Sequence, residues 1–378
     1  LSHFNISRLF LLVLLLAALI GMTQCARQEA AIRLKPVTWG KLPGWGKEDF
    51  GKALSAFQAT CQVLQKRQAW QETCSAAHET DPRLFFESHF QPYAILSPAK
   101  KKGLATGYYV PILKGSFFFS ETHRYPLYEK PASLIEVSLR DFGMPPQTLK
   151  GRIDGQRLAP YWRRQEIDSN PGLLAGAELL WLSDPFSAFI ASIQGSALVR
   201  LSDDSLIRVY YAADNGHAYH SIGNDLVKRG ELPKGQASLF AIRDWLKNHP
   251  ERQQEILAQN PRYIFFKASL DTTIKGALGV PLTPKYSVAV DPRFIPLGAP
   301  LYLQAEPTVT HPAMTQLVFA QDVGSAIKGE KRIDFYWGVG EEAERQASAM
   351  KSPIELWLLL PKSWDKETIL AALKHEGP

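Results

Sequence analysis

The chain has 378 residues, 45% hydrophobic and 21% charged, with a formal net charge of +6 and a pI near 9. That length favours two domains over one, and the composition is that of an ordinary globular protein rather than a disordered or fibrous one. The longest basic cluster, Lys100–Lys102, is too short for a nucleic-acid arm, so the mild positive charge suits a diffuse polyanion better than DNA or RNA.

Residues 1–25 read as a targeting segment. Arg8 precedes an apolar run from Leu9 to Ile20, the length of a signal-peptide core and short for a membrane span. Cys25 follows that run closely, as in a lipoprotein acylated on cysteine after cleavage; plain secretion is the alternative. Either way the mature chain is expected outside the cytoplasm.

Asp49 to Ala77 carries the first strong helical signal. Phe50, Leu54, Phe57, Cys61 and Leu64 recur at spacings of four and three and form one apolar stripe. An oxidising compartment makes a Cys61–Cys74 bridge attractive. One straight helix would hold the two cysteines about 20 Å apart. They meet only if the helix breaks between them, near Trp70; two buried free thiols are the alternative. Asp81-Pro82 then opens a short helix carrying Leu84, Phe85 and Phe90.

From Gly103 the texture turns to strands. Tyr108 and Tyr109 can offer flat faces to a ligand or simply be strand residues. Residues 115–262 read as an inserted β domain, flanked by 26–114 and 263–378 as the two parts of another domain. Ile190–Leu201 and Leu206–Gly216 read as two strands with a turn at Ser202–Asp204. Gln194 lies beside Gly195 and Ser196, where backbone can approach a ligand. His217 and His220 lack further ligands at metal spacing, so they read as loop residues beside Tyr219. Helices are expected at Ser238–Leu246 and Glu251–Gln259.

Two aspartate-bearing stretches follow. In Ser287–Leu303, Asp291 ends a strand before Pro292. In Phe319–Gly340, Asp322 precedes a glycine turn that bears Lys328, and Asp334 sits mid-strand. There Ile333, Phe335 and Trp337 alternate with Asp334 and Tyr336, so the acid shares a face with a tyrosine and is flanked by apolar residues. Asp is rare inside strands. Such surroundings raise a carboxyl pKa and let it hold a proton near neutrality. An apolar strand at Ile354–Leu360 and a terminal helix after Asp365 complete the chain.

The order AVD, IPLG, QDVGSAIKG and RIDFYWG, preceded by GYY, YPLYEKP, PYWRRQEI, IQGS, NGHAYHSIG and NPRYIFF, resembles the membrane-bound lytic murein transglycosylase A family from about Gly103 onward. Val110, Ser325 and Ala197 depart from the family's usual Glu, Gly and Gly. The resemblance implies a mainly β protein with N-terminal helices: a double-psi β-barrel of the three-aspartate type, a smaller inserted β domain, and a cleft between them. It implies cleavage of the β-1,4 bond between N-acetylmuramic acid and N-acetylglucosamine by a single acid, the muramic 6-hydroxyl closing a 1,6-anhydro ring.

On that reading Asp334 is the acid, Asp322 the second anion or orienting group, and Asp291 a structural acid. Tyr108, Tyr109, Gln194, Ser196, Tyr219 and Lys328 would contact substrate. The partner is peptidoglycan, the location the periplasmic side of the outer membrane, lipid-anchored if Cys25 is acylated, and neither metal nor organic cofactor is implied. A two-aspartate glycan hydrolase and a non-catalytic, expansin-like wall-binding protein are the competing readings.

Overall fold

The computed structural model describes residues 32–78, 81–96, 102–145 and 147–373. The targeting segment and Cys25 lie outside the described residues. Six strands close into a barrel in the order Gly103–Val110, Arg332–Val339, Ser287–Val290, Met314–Val323, Pro300–Ala305 and Lys351–Pro361, the last pairing back to the first. Two neighbouring pairs are parallel, Gly103–Val110 with Arg332–Val339 and Ser287–Val290 with Met314–Val323; the others are antiparallel. Closure leaves none of these six as a free edge. Strands Phe90–Leu96 and Arg33–Pro36 extend the sheet outward from Lys351–Pro361. The expected barrel of the three-aspartate type, with a second β unit beside it, is what the chain forms.

Period-two alternation fills the barrel. Val288, Val290, Leu301, Leu303, Ile333 and Phe335 are fully buried. The helical N-terminal part plugs one side. Helix Phe50–Leu64, N-capped by Asp49, buries Phe57 against Phe85, Phe90 and Phe319 at ring-centroid distances of 5.5, 5.5 and 6.0 Å. Each such ring, once buried, contributes about 2–3 kcal/mol. The helix stops at Leu64 and a second begins at Gln68, so the break falls earlier than Trp70. That break brings Cys61 and Cys74 to a Cα–Cα distance of 5.5 Å, and they form a disulfide. Asp81 caps the next helix, Pro82–His89, as its sequence predicts.

A second sheet of six strands runs Ile264–Ser269, Leu206–Asp214, Ser196–Arg200, Ile112–Ser116, Glu178–Leu182 and Tyr125–Tyr128. A three-stranded sheet, Ile135–Ser138, Thr148–Asp154 and Arg157–Pro160, lies in the same part of the chain. One element differs from the sequence reading: Ile190–Gln194 is not strand but the end of helix Pro185–Gln194. Asp184 caps that helix through the Ser187 N–H, Pro185 occupies its first position, and Gly195 ends it at φ 73°. The strand begins only at Ser196.

Among the contacts that join the second sheet and its helices to the barrel are a buried cluster and an ion pair. Val110 and Tyr336 bury against Leu198, with Tyr108, Leu206, Ile274 and Leu282 around them. Arg243, from helix Leu239–Asn248, pairs with the buried Glu344 of helix Gly340–Ala349. Among the described residues no helix is long and apolar enough to cross a membrane.

Candidate functional site

The register of four adjacent barrel strands builds the site. Ala289 faces Asp322 on one side and Asp334 on the other, and Asp334 faces Thr106. The two acids are therefore two strand spacings apart, about 9–10 Å between backbones. The residue between them is only a methyl group, so nothing bulky separates the carboxyls. Two residues further on, Tyr336 pairs with Tyr108 on the same face, their rings 5.2 Å apart. Ile333 and Phe335 point the other way, into the barrel core, as the alternation requires.

Asp334 is half-buried. Its Oδ1 is engaged by Thr106, and its Oδ2 makes no hydrogen bond to a described residue. Burial pushes its pKa up to about 6 and the nearby Asp322 adds to the rise, while the Thr106 hydroxyl and the Arg332 guanidinium oppose it. The Thr106 hydroxyl lies 2.5 Å from Asp334 Oδ1. Asp322 is also half-buried, and burial raises its pKa. Both its oxygens are engaged: Oδ1 accepts the N–H groups of Ala277 and Val323, each at 2.9 Å, and Oδ2 accepts the Tyr108 hydroxyl at 2.9 Å. Tyr108 lies near both acids, and burial and their charge hold its hydroxyl protonated well above the ordinary range.

Asp291 has a different setting. It is fully buried. Its carboxylate accepts Arg293 Nε at 3.0 Å, Arg293 Nη2 at 2.7 Å and the Gly329 N–H at 2.8 Å. Burial works against the charge, but these donors prevail and hold the pKa below the ordinary value. Asp291 thus ties its own turn to the glycine turn that follows Asp322.

The other candidates separate. Tyr109 is 1% exposed and packs on Ala343 and Ala347, so its ring offers no face to a ligand. Gln194 caps the junction from the other side, its Oε1 accepting the Tyr109 N–H at 3.3 Å. Ser196 donates to the Val209 carbonyl at 3.1 Å. Tyr219 and Lys328 are exposed. The loop histidines are held locally: His217 Nε2 lies 2.7 Å from the Tyr161 carbonyl and His220 Nε2 lies 2.6 Å from Asp225. A cavity lined by Glu129, Lys130, Tyr210, Phe266, Lys267 and Ala268 sits on the second sheet and includes none of the candidate residues.

Sequence reasoning missed Thr106 and Arg332. Both lie within or beside strands that read clearly, but only the parallel register between Gly103–Val110 and Arg332–Val339 brings Thr106 onto Asp334. It also missed what Gly107 does. A Cβ there would come within 2.6 Å of the Ala347 Cα and 2.8 Å of Trp337, so helix Gly340–Ala349 could not lie across the strand.

A closed barrel carrying two half-buried carboxyls on the face next to a second β unit defines a carboxyl-based site on a barrel of the three-aspartate type. Comparison with known proteins agrees. Residues 104–267 match the MltA specific insert domain and residues 286–360 the 3D domain. Membrane-bound lytic murein transglycosylase A of Vibrio cholerae is 31% identical over 275 residues, which are 70% of this chain and 68% of the relative.

Among solved structures, MltA from Neisseria gonorrhoeae is 36% identical with a TM-score of 0.77, covering 88% of this chain and 93% of the other. E. coli MltA with bound chitohexaose is 28% identical with a TM-score of 0.67, covering 87% and 96%. The chain belongs to the membrane-bound lytic murein transglycosylase A family, and so to a family of enzymes that act on peptidoglycan.

Proposed function

We propose that this chain cleaves the β-1,4 bond between N-acetylmuramic acid and N-acetylglucosamine without water, using Asp334 as the single acid and base. The observation that carries the reading is the contrast between the two acids. Asp334 has a pKa near 6 and an oxygen, Oδ2, that accepts no hydrogen bond from a described residue, whereas both oxygens of Asp322 already accept protein donors. A carboxylate so engaged is poorly suited to activate a water, which a two-carboxyl hydrolase needs.

In the first half of the reaction the Asp334 proton moves to the glycosidic oxygen as the C1–O bond breaks. In the second, the muramic 6-hydroxyl bonds to C1 and its proton returns to Asp334. Every atom stays within the substrate and the acid ends as it began. The nucleophile is tethered, so no separate base is required to bring water in. Asp322 adds negative charge that favours the protonated acid and fixes Tyr108; Asp291 holds the turn.

The glycan would lie along the face between the barrel and the inserted unit, here taken as residues 115–262 within flanking barrel parts. A relative solved with bound chitohexaose supports a glycan ligand. Tyr219 and Lys328 are the exposed contacts; Tyr108, Gln194 and Ser196 shape the wall from beneath. The relatives' name supports membrane association; a periplasmic, outer-membrane setting with Cys25 as the anchor belongs to the same proposal and rests on the sequence.

The test is Asp334→Asn on purified sacculi. Loss of all soluble anhydro-muropeptide release, with an unchanged circular dichroism spectrum, is expected. Retained release would refute the role. Products from the unaltered protein that carry an added water would instead establish the hydrolase.

A further inference from the structure

Two partners flank the Thr106 hydroxyl. Arg332 Nη2 donates to Thr106 Oγ1 at 2.8 Å, and Thr106 Oγ1 lies 2.5 Å from Asp334 Oδ1. The guanidinium cannot swing away freely, because its Nη1 also donates to the carbonyls of Leu104, at 3.4 Å, and Ile333. A threonine hydroxyl has one hydrogen to give. Arginine only donates, so Arg332 fills an acceptor position on Thr106 and the hydroxyl hydrogen must be used elsewhere. Asp334 is its one acceptor among the described residues. Were Asp334 the donor instead, the Thr106 hydrogen would be left without a partner in a partly buried site, at a cost comparable to a lost hydrogen bond.

We propose that Thr106, backed by Arg332, is a positioning residue that keeps Oδ1 of Asp334 an acceptor, so that the transferable proton resides on Oδ2. Oδ2 makes no hydrogen bond to a described residue and is not sealed from solvent. It is therefore the oxygen able to reach a glycosidic bond. When Oδ2 gives up its proton, the new carboxylate already holds the Thr106 hydrogen bond, which Arg332 polarises. That bond is stronger to the ion than to the neutral acid. The same bond releases part of its grip when the 6-hydroxyl returns a proton to Oδ2. This inference rests on Asp334 being the acid.

The charged and titratable groups facing Asp334 are Arg332 on its own strand, Asp322 across Ala289, and Tyr108 beside Thr106. Only Thr106 is changed in the test. Thr106→Val keeps the side-chain volume and removes the hydroxyl. Removing a bond that favours the ionised acid raises the pH at which Asp334 loses its proton, so the alkaline limb of the kcat profile should move to higher pH. With sacculi as substrate, kcat should fall about ten- to a hundredfold, with KM little changed. Thr106→Ser should restore both the limb and the rate.

A wild-type limb and rate in Thr106→Val, or no rescue by Thr106→Ser, would overturn the proposal. If Thr106→Val does not fold, as judged by its thermal melt, Thr106→Ala carries the same readout. Asp334→Asn, run in parallel, separates the two ideas. If it remains active, the acid assignment fails; if it is inert while Thr106→Val behaves as wild type, only the positioning role fails.

Discussion

Asp334 is held at a thermodynamic disadvantage. Its pKa of about 6 in the folded protein stands above the ordinary carboxyl value near 3.9. The unfolded chain therefore ionises first. Stability is unaffected below about pH 4, falls as pH rises between the two values, and stays reduced above pH 6. The shift corresponds to about 3 kcal/mol at most. Asp334→Asn should therefore raise the melting temperature at pH 7 and leave it nearly unchanged at pH 4, as differential scanning calorimetry would reveal; an equal change at both pH values would refute that account.

The catalytic corollary has the same sign: kcat should decline as pH rises past about 6, because the proton is lost. The sequence made this acid legible, since an aspartate between Ile333 and Phe335 in a strand demands an explanation. It could not make Thr106 legible. A threonine in a strand is ordinary, and the pairing that places it on Asp334 joins strands 228 residues apart. Tyr109 shows the opposite limit. Two adjacent tyrosines point to opposite faces of one strand, and only the structure decides which face helix Gly340–Ala349 covers.

Among the elements, the broken helical pair at the N-terminal side of the barrel is fixed by both a core and a crosslink. The Cys61–Cys74 disulfide closes a loop of 13 residues in sequence separation. Its removal should cost about 3 kcal/mol. Guanidinium unfolding of a Cys61→Ser, Cys74→Ser protein would detect that loss; unchanged stability would mean that packing alone fixes the pair. Phe57→Ala, in the ring cluster with Phe85, Phe90 and Phe319, should cost about 3–5 kcal/mol by the same measurement.

The need for a break was readable from the cysteine spacing, though its place at Gln65–Arg67 was not, because helix Gln68–Ala76 starts without a side-chain cap. The helix Pro185–Gln194 was misread despite a strong signal. Asp184-Pro185 opens it and Gly195 closes it, but β-branched residues inside it mimic a strand.

At the scale of the molecule, the chain closes a barrel from strands that are far apart in sequence and lays the inserted sheet against the face that carries Asp322 and Asp334. The buried contact of Tyr336 with Leu198 and the Arg243–Glu344 pair hold the two parts together. The ordered motifs made the barrel and insert legible. Strand order was not, since parallel neighbours such as Ser287–Val290 and Met314–Val323 are separated by an intervening strand. Arg243→Ala removes the partner of a buried carboxylate and should lower the melting temperature through an uncompensated charge at Glu344. An unchanged melt would show that this pair contributes nothing to the join.

The central claim concerns water. Purified protein should be incubated with sacculi in isotopically labelled water and the released muropeptides weighed. Anhydro-muropeptides free of solvent oxygen are the predicted products. Products ending in reducing muramic acid with a labelled oxygen would contradict the single-acid account.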